Sequence, residues 1–158
     1  MGSIAHLVRR FFEVLAARRP GPRDQAHLAG LLTAAEAGLF WDQAPCDQAH
    51  AVACLRRIER ARPGRPDLAR AALLHDVGKR RAPIGVVART AATLIALLRL
   101  PGPGRLGVYL RHGELGAADL TAAGSDPLVV AFAGGHHGPA PAGVSPEDWD
   151  ALTRADRG

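Results

Sequence analysis

Apolar residues recur along most of the chain at the three- and four-residue spacing of a helix that is buried on one face. The stretch 5–18 shows this spacing clearly, with apolar positions at Leu7, Val8, Phe11, Phe12, Val14 and Leu15. The alternation of apolar and polar residues that marks a strand is not seen. The pattern predicts helices at residues 5–18, 33–42, 47–61, 66–78, 84–99, 112–123, 127–136 and 146–156.

Proline and glycine separate these helical segments. Breaks rich in both residues occur at 18–24, 61–67, 100–105 and 138–148. The sequence "TAAE" has the form of a capping box, in which Thr33 and Glu36 each bind the other's backbone amide. The short connections predict a compact all-α bundle. We expect residues 1–45 to form a helical extension that packs on a core domain of residues 46–158.

The composition is that of one globular domain. The chain has 158 residues, of which 47% are hydrophobic and only 4% aromatic, and alanine and leucine dominate. No apolar run reaches the roughly 18–20 residues that a membrane span needs. The N-terminus lacks the apolar stretch and cleavage site of a signal peptide. We therefore expect a cytoplasmic protein that has no membrane partner.

The basic residues argue against a nucleic-acid partner in spite of a formal net charge of +5. The arginines are scattered, and aromatic residues do not interleave with them as they do in single-strand binding proteins. A positive rim that attracts a small anionic ligand stays open as an alternative to solvated helix faces. Lys79 is the only lysine among the 20 basic residues.

The cysteines and two of the histidines carry no clear sign of chemistry. Cys46 and Cys54 form no CxxC pair, which argues against a zinc ribbon or a thioredoxin-type site. We interpret both cysteines as small, partly buried helix residues. His6 and His27 lie in ordinary amphipathic surroundings, and we interpret them as structural or solvent-facing.

The other histidines form a distinct set with two aspartates. Its members are His50, His75, Asp76, His112, His136, His137 and Asp156. Imidazole and carboxylate together suit first-row divalent metals. The pair His75–Asp76 follows the apolar Leu73–Leu74, which predicts a carboxylate at a buried helix end, where it needs a partner or a metal. Any one of these residues alone is more commonly an ordinary core or surface residue.

The order of this set resembles the HD superfamily of metal-dependent phosphohydrolases. The segments "DQAHAVACL", "AALLHDVGK" and "LTRAD" are similar to the signature segments of that family. The segments "RHGELGAADL" and "GGHH" resemble the extended subset that includes the HD-GYP and related HDIG proteins. The resemblance spans residues 47–156 and implies the compact all-α HD-domain bundle.

The resemblance also implies a two-metal site and the roles of its residues. The implied ligands of the first metal are His50, His75, Asp76 and Asp156, and those of the second are His112, His136 and His137, with Asp76 as the bridge. The metals would be two divalent transition ions, such as manganese, iron, zinc or nickel. The implied catalytic residues are Asp76 and Lys79, and the candidates for binding substrate phosphate are Arg80, Arg81 and Arg111.

The expected activity is that of a phosphatase or phosphodiesterase on a nucleotide or another small phosphoester. After its paired histidines the chain reads "HHGPAPAGVSPEDW", without the acidic residue and the Gly-Tyr-Pro segment of the HD-GYP subset. We therefore expect little hydrolysis of cyclic-di-GMP. Two alternatives stay open, a diiron HD-type oxygenase and a non-catalytic metal-binding or ligand-sensing module.

Overall fold

The computed structural model describes residues 18–82, 85 and 104–158. These residues contain eight α-helices and a 3-10 turn, and no strand. The helices are α1 (Pro22–Leu31), α2 (Ala34–Trp41), α3 (Pro45–Ala61), α4 (Pro66–Leu74), α5 (Gly104–Leu110), α6 (His112–Ala122), α7 (Pro127–Gly135) and α8 (Pro146–Arg157), with the 3-10 turn at Val77–Arg81. The predicted all-α fold is confirmed. His6 and the predicted helices at 5–18 and 84–99 lie outside the described residues, except for residues 18 and 85.

Five predicted helices agree with the structure to within two residues at each end. They are the helices now labelled α2, α3, α6, α7 and α8. The capping box of α2 is also confirmed, because the Thr33 amide donates to Glu36 Oε2 and the Glu36 amide donates to Thr33 Oγ1. Within the described ranges, no helix is both long enough and apolar enough to cross a membrane.

The predicted helix at 66–78 is wrong at its C-terminal end. Helix α4 stops at Leu74, and the chain continues through His75 and Asp76 into the 3-10 turn. The turn tightens where the Lys79 amide donates to the Asp76 carbonyl at 3.0 Å. Gly78 then lies against the backbone of α6, so close that a Cβ on it would be 1.9 Å from the His112 carbonyl oxygen. This backbone contact explains why the α-helix does not continue.

Helices α1 and α5 were not predicted from the sequence. Each begins inside or directly after a segment that we interpreted as a break. Pro22 occupies the first turn of α1, where the missing N–H of a proline costs nothing. Gly104 begins α5 with a positive φ of 52°, a conformation that glycine adopts easily. Pro22 and Gly104, which we interpreted as parts of breaks between helices, are thus each the first residue of a helix.

The centre of the bundle is α4, which packs against α3, α7 and α8. Its Leu68, Leu73 and Leu74 are fully buried, as is Phe132 of α7. Burying one such side chain contributes about 1.5–3 kcal/mol to stability. The apolar end of α4 is therefore held firmly, and this fixes the position of the His75–Asp76 pair that follows it.

Residues 22–41 also pack on this core. Leu28 of α1 and Phe40 of α2 belong to the same buried cluster as the leucines of α4. Glu36 of α2 is fully buried and accepts hydrogen bonds from Arg70 of α4 at 2.6 Å and from Ser125 Oγ at 2.8 Å. Apolar contact and a buried ion pair together join α2 to the centre of the bundle.

Replacing Glu36 with glutamine should destabilise the protein by about 3 kcal/mol at pH 7, because it removes one partner of a buried ion pair. Burial opposes ionisation of Glu36, yet hydrogen bonds from Arg70, Thr33 and Ser125 hold its pKa below the ordinary 4.5. Because the pKa of Glu36 is lower in the folded than in the unfolded state, its ionised carboxylate stabilises the protein at pH values above the ordinary pKa. This contribution is lost as the pH falls through the lowered pKa.

Urea unfolding of Glu36→Gln and wild type at several pH values checks this prediction. The difference between the two proteins should shrink as the pH falls below 4.5. Asp150→Asn serves as the control, because its carboxylate is exposed and, among the described residues, its ion pair is with the exposed Arg154 on the same helix. The control should change stability by no more than about 0.5 kcal/mol. An equal effect of both substitutions would contradict the role of Glu36.

Candidate metal centre

Five segments of the chain bring their ligand-type residues to one place. His50 projects from α3, Asp156 from α8, and the His75–Asp76 pair lies at the end of α4. His112 begins α6, and His136–His137 follow the end of α7. All seven residues that the sequence singled out are therefore neighbours in one connected cluster. That they bind metal stays a prediction.

The first half of the cluster surrounds Asp156. Its Oδ1 atom lies 2.9 Å from His50 Nε2 and 3.2 Å from His75 Nε2. His75 is 1% exposed, while the side chains of His50 and Asp156 are 24% and 20% exposed. This half of the cluster thus lies at the edge of the core, with the side chains of His50 and Asp156 partly exposed.

Asp76 joins the two halves. Its Oδ2 lies 3.4 Å from His75 Nε2, and its Oδ1 lies 3.3 Å from His112 Nε2 and 3.9 Å from His136 Nε2. One carboxylate thus faces ligands of both halves, which is the position of a bridging ligand. The second half consists of His112, His136 and His137, whose ligand atoms lie within 4.8 Å of one another.

Backbone carbonyls orient three of the imidazoles. The Nδ1 atoms of His75 and His112 lie 2.9 Å from the carbonyl oxygens of Ala72 and Tyr109. Nδ1 of His136 lies 3.1 Å from the Ala133 carbonyl. A carbonyl only accepts, so each Nδ1 carries a proton and the Nε2 atom of the ring faces the cluster. Metal-binding histidines are held in the same way by partners outside the metal shell.

Two buried atoms in the middle of the cluster have no hydrogen-bond partner among the described residues. They are Asp76 Oδ1 and His112 Nε2, and they face each other at 3.3 Å. A carboxylate oxygen and an imidazole lone pair are both acceptors, so their approach is unfavourable unless a proton or a metal ion lies between them. The residues present therefore fit a divalent metal ion.

The charges of the cluster support the same fit. Burial opposes ionisation of Asp76, but Lys79 and His75 hold its pKa well below the ordinary value, and the pKa of Asp156 is also lowered by His50 and His75. Burial, reinforced by His75, lowers the pKa of His136 to about 4. Near pH 7 the cluster thus offers two carboxylates and a neutral His136. Burial lowers the pKa of His75, but Asp76 and Asp156 outweigh it and raise that pKa, so metal binding at His75 competes with protonation.

Lys79 lies beside the bridging carboxylate. Its Nζ is 2.5 Å from Asp76 Oδ2 and 5.9 Å from the centre of the Tyr109 ring, and its side chain is 14% exposed. Burial would lower the pKa of Lys79, but Asp76 outweighs this effect and raises it. The side chain therefore remains an ammonium with no lone pair to offer a metal.

The predicted phosphate-binding arginines are placed differently from one another. Arg80 and Arg81 both pair with the buried carboxylate of Asp119 in α6. Arg111 is exposed at the start of α6, next to His112. Arg80 and Arg81 thus fasten the 3-10 turn to α6, and a role for the three guanidiniums in binding phosphate stays a prediction.

His27, at a distance in α1, pairs with the exposed Glu59, in keeping with our interpretation of it as solvent-facing.

Cys54 is the neighbour of the cluster that sequence reasoning missed. It lies one helical turn after His50 in α3, and its Sγ is 3.5 Å from His50 Nε2. Burial and the nearby Asp156 raise the pKa of this thiol to about 12, so without a cation it is neutral. The signal was present in the sequence, because residues four apart on a helix lie on the same face.

Gly78 is required for the two backbones beside Asp76 and His112 to meet. We expect Gly78→Ala to destabilise the protein by at least about 1–3 kcal/mol, because the new Cβ would overlap backbone atoms of His112 and Gly116. The same overlap should push α6 away and weaken metal binding through His112. Thermal unfolding and metal titration check both effects.

Gly30→Ala is the matched control for Gly78→Ala. Gly30 lies in α1, is exposed, and has nothing within 4 Å of the position of a Cβ. Alanine there should leave metal binding unchanged and raise stability by up to about 1 kcal/mol through helix propensity. If both variants have the same stability and metal affinity, the close contact between Gly78 and the backbone of α6 does not require a glycine.

Comparison with known proteins gives no relative for this chain. No family model, curated protein or solved structure matches it. The geometry of the cluster and the order of its residues are therefore the grounds on which a function is assigned.

Proposed function

We propose that the protein is a metal-dependent phosphohydrolase of the HD superfamily that acts on a nucleotide or another small phosphoester. The observation that carries the proposal is the buried cluster in which Asp76 faces imidazoles of two ligand groups, while its Oδ1 has no hydrogen bond from any residue that the structure describes. The order of the ligands along the chain, which resembles that family, supports the same assignment.

The residues of the cluster would hold two metal ions, and Lys79 would contribute a positive charge beside them. One group of ligands is His50, His75 and Asp156, the other is His112, His136 and His137, and Asp76 bridges them. Two divalent ions held there would supply Lewis-acid charge that stabilises a phosphoryl group and eases the ionisation of water. Lys79 would add a positive charge on the Asp76 side, where a phosphoryl oxygen gains negative charge during attack.

His137 is exposed, while His75, Asp76 and His136 are buried. We expect the phosphoryl group of the substrate to approach on the His137 side. The net charge of +5 would favour the approach of an anionic substrate.

The proposal is tested by reconstituting chelator-treated protein with manganese, iron, zinc and nickel in turn. We expect about two ions per chain in elemental analysis and phosphate or nucleotide release in a screen of mono- and diesters, with little turnover of cyclic-di-GMP. Absence of bound metal under all four conditions would overturn the proposal. Oxygen consumption by the iron-loaded protein, without any hydrolysis, would favour a diiron oxygenase, and metal binding without either reaction would favour a sensing module.

A further inference from the structure

The thiol of Cys54 faces the first half of the cluster, and the proposed function leaves it unused. Cys54 is 1% exposed and lies on the face of α3 that carries His50. The ligand atoms of His50, Cys54, His75 and Asp156 all lie within 4.8 Å of one another. Four donors of three chemical kinds thus converge: two imidazoles, one carboxylate and one thiol.

Three of the six distances between these donors can be compared with the edges of a tetrahedral site, and all six are below 4.8 Å. With metal–nitrogen and metal–oxygen bonds near 2.0–2.1 Å and a metal–sulfur bond near 2.3 Å, tetrahedral edges are about 3.3 Å between N or O atoms and about 3.5 Å between S and N. The structure has 3.5 Å from Cys54 Sγ to His50 Nε2 and 3.2 Å from His75 Nε2 to Asp156 Oδ1. The edge between His50 and Asp156 is shorter, at 2.9 Å.

We propose that Cys54 is a thiolate ligand of the first metal, which it holds together with His50, His75 and Asp156, and that this sulfur ligand selects zinc. Binding forms the sulfur–metal bond and releases the thiol proton to solvent, with no change of oxidation state. Two imidazoles, a thiolate and a carboxylate neutralise a divalent ion. This inference rests on the metal centre of the proposed function.

A thiolate in this position has consequences for both halves of the cluster. Soft sulfur ligands favour zinc over manganese and magnesium, which prefer oxygen. With these four ligands and the bridging Asp76, the first ion would have no position left for a substrate. The phosphoester would then meet the half formed by His112, His136 and His137, where the cluster is exposed.

Cobalt(II) substitution tests the inference without any substrate. Chelator-treated full-length protein is titrated with Co²⁺, and the near-ultraviolet band of sulfur-to-cobalt charge transfer is recorded together with bound cobalt. We expect the band in wild type and its loss in Cys54→Ser and Cys54→Ala. Competition with Zn²⁺ should show weaker zinc binding in both variants, by more than the roughly 10–100-fold cost of losing an outer-shell partner.

Cys46→Ser is the matched control, because Cys46 lies in the same helix but outside the four-residue ligand group. It should keep the charge-transfer band and the zinc affinity. Cobalt bound by wild type without the band would overturn the thiolate ligand and leave the proposed function intact. Absence of cobalt and zinc binding would overturn both. The presence or absence of the charge-transfer band in cobalt-loaded wild type tests the inference by itself, so the test does not depend on the variants folding.

Discussion

Asp76→Ala should lower metal content toward zero and reduce phosphoester hydrolysis by about 10³-fold or more, since metal charge typically contributes several kcal/mol to the transition state. The reason is the position of Asp76 between the two ligand groups, with Oδ1 facing His112 and His136 and Oδ2 facing His75. Loss of one carboxylate removes a ligand from both groups at once, so both ions should be affected.

The metal-free form of Asp76→Ala should also be less stable than metal-free wild type. The substitution leaves the buried Lys79 ammonium without its partner, a loss that typically costs about 3–5 kcal/mol. Asp76→Asn keeps the size of the side chain but not its charge, so it separates the loss of volume from the loss of the bridge. Metal analysis and urea unfolding on the same samples measure both effects.

Asp119→Asn is the control for the Asp76 variants. Its carboxylate is also buried and also pairs with basic residues of the 3-10 turn, but it lies outside the ligand groups. It should lose stability and keep both metals. If Asp76→Asn also keeps two metals, the bridging role is wrong and Asp76 is only the counter-charge of Lys79.

The sequence could predict six of the eight described helices and the members of the cluster, because both depend on local information. Helical spacing identifies an element such as α3 without reference to its neighbours. Residue type and order identify His50 and Asp156 as candidate ligands although they are 106 residues apart in sequence. The prediction that such residues converge came from a family resemblance, and the structure shows the convergence in this chain.

The parts that the sequence did not reveal depend on contacts between distant segments. The end of α4 depends on the close backbone contact between Gly78 and α6, and no local sequence pattern indicates that contact. Arg80 and Arg81 were predicted to bind the substrate phosphate. Both instead pair with Asp119, which follows Arg81 by 38 residues, so no local sequence pattern indicates the contact. Cys54 looked like a core residue because its distance from Asp156 is a tertiary property.

Lys79→Ala and Lys79→Met should keep the metals and reduce the rate of hydrolysis by about 10²–10⁴-fold, the usual contribution of a positioned acid or positive charge. Lys79 is an ammonium beside Asp76 Oδ2, so it is not a ligand, and its removal takes away a charge that competes with metal for that oxygen. Metal affinity should therefore be unchanged or increased. Lys79→Met preserves most of the buried aliphatic stem and so tests the charge alone.

Lys79→Arg should also be impaired. The side chain is only 14% exposed and lies near the Tyr109 ring, which leaves little room for the larger planar guanidinium. Arg154→Ala is the control and should retain wild-type rate and metal content, because it removes an exposed cation of α8 whose ion pair within the described part of the chain is with Asp150. Rate and bound metal are measured on the same samples with a phosphoester identified in the screen.

The stability of the Lys79 variants separates a chemical role from a structural one. Without metal, Lys79→Met should be less stable than wild type, because Asp76 loses its buried partner. Added metal binds the folded state and should restore much of this stability, while the rate stays low. Wild-type activity in Lys79→Arg would mean that a positive charge suffices without the geometry of an ammonium. Wild-type activity in Lys79→Met would mean that Lys79 serves only as the counter-charge that keeps Asp76 ionised before metal binds.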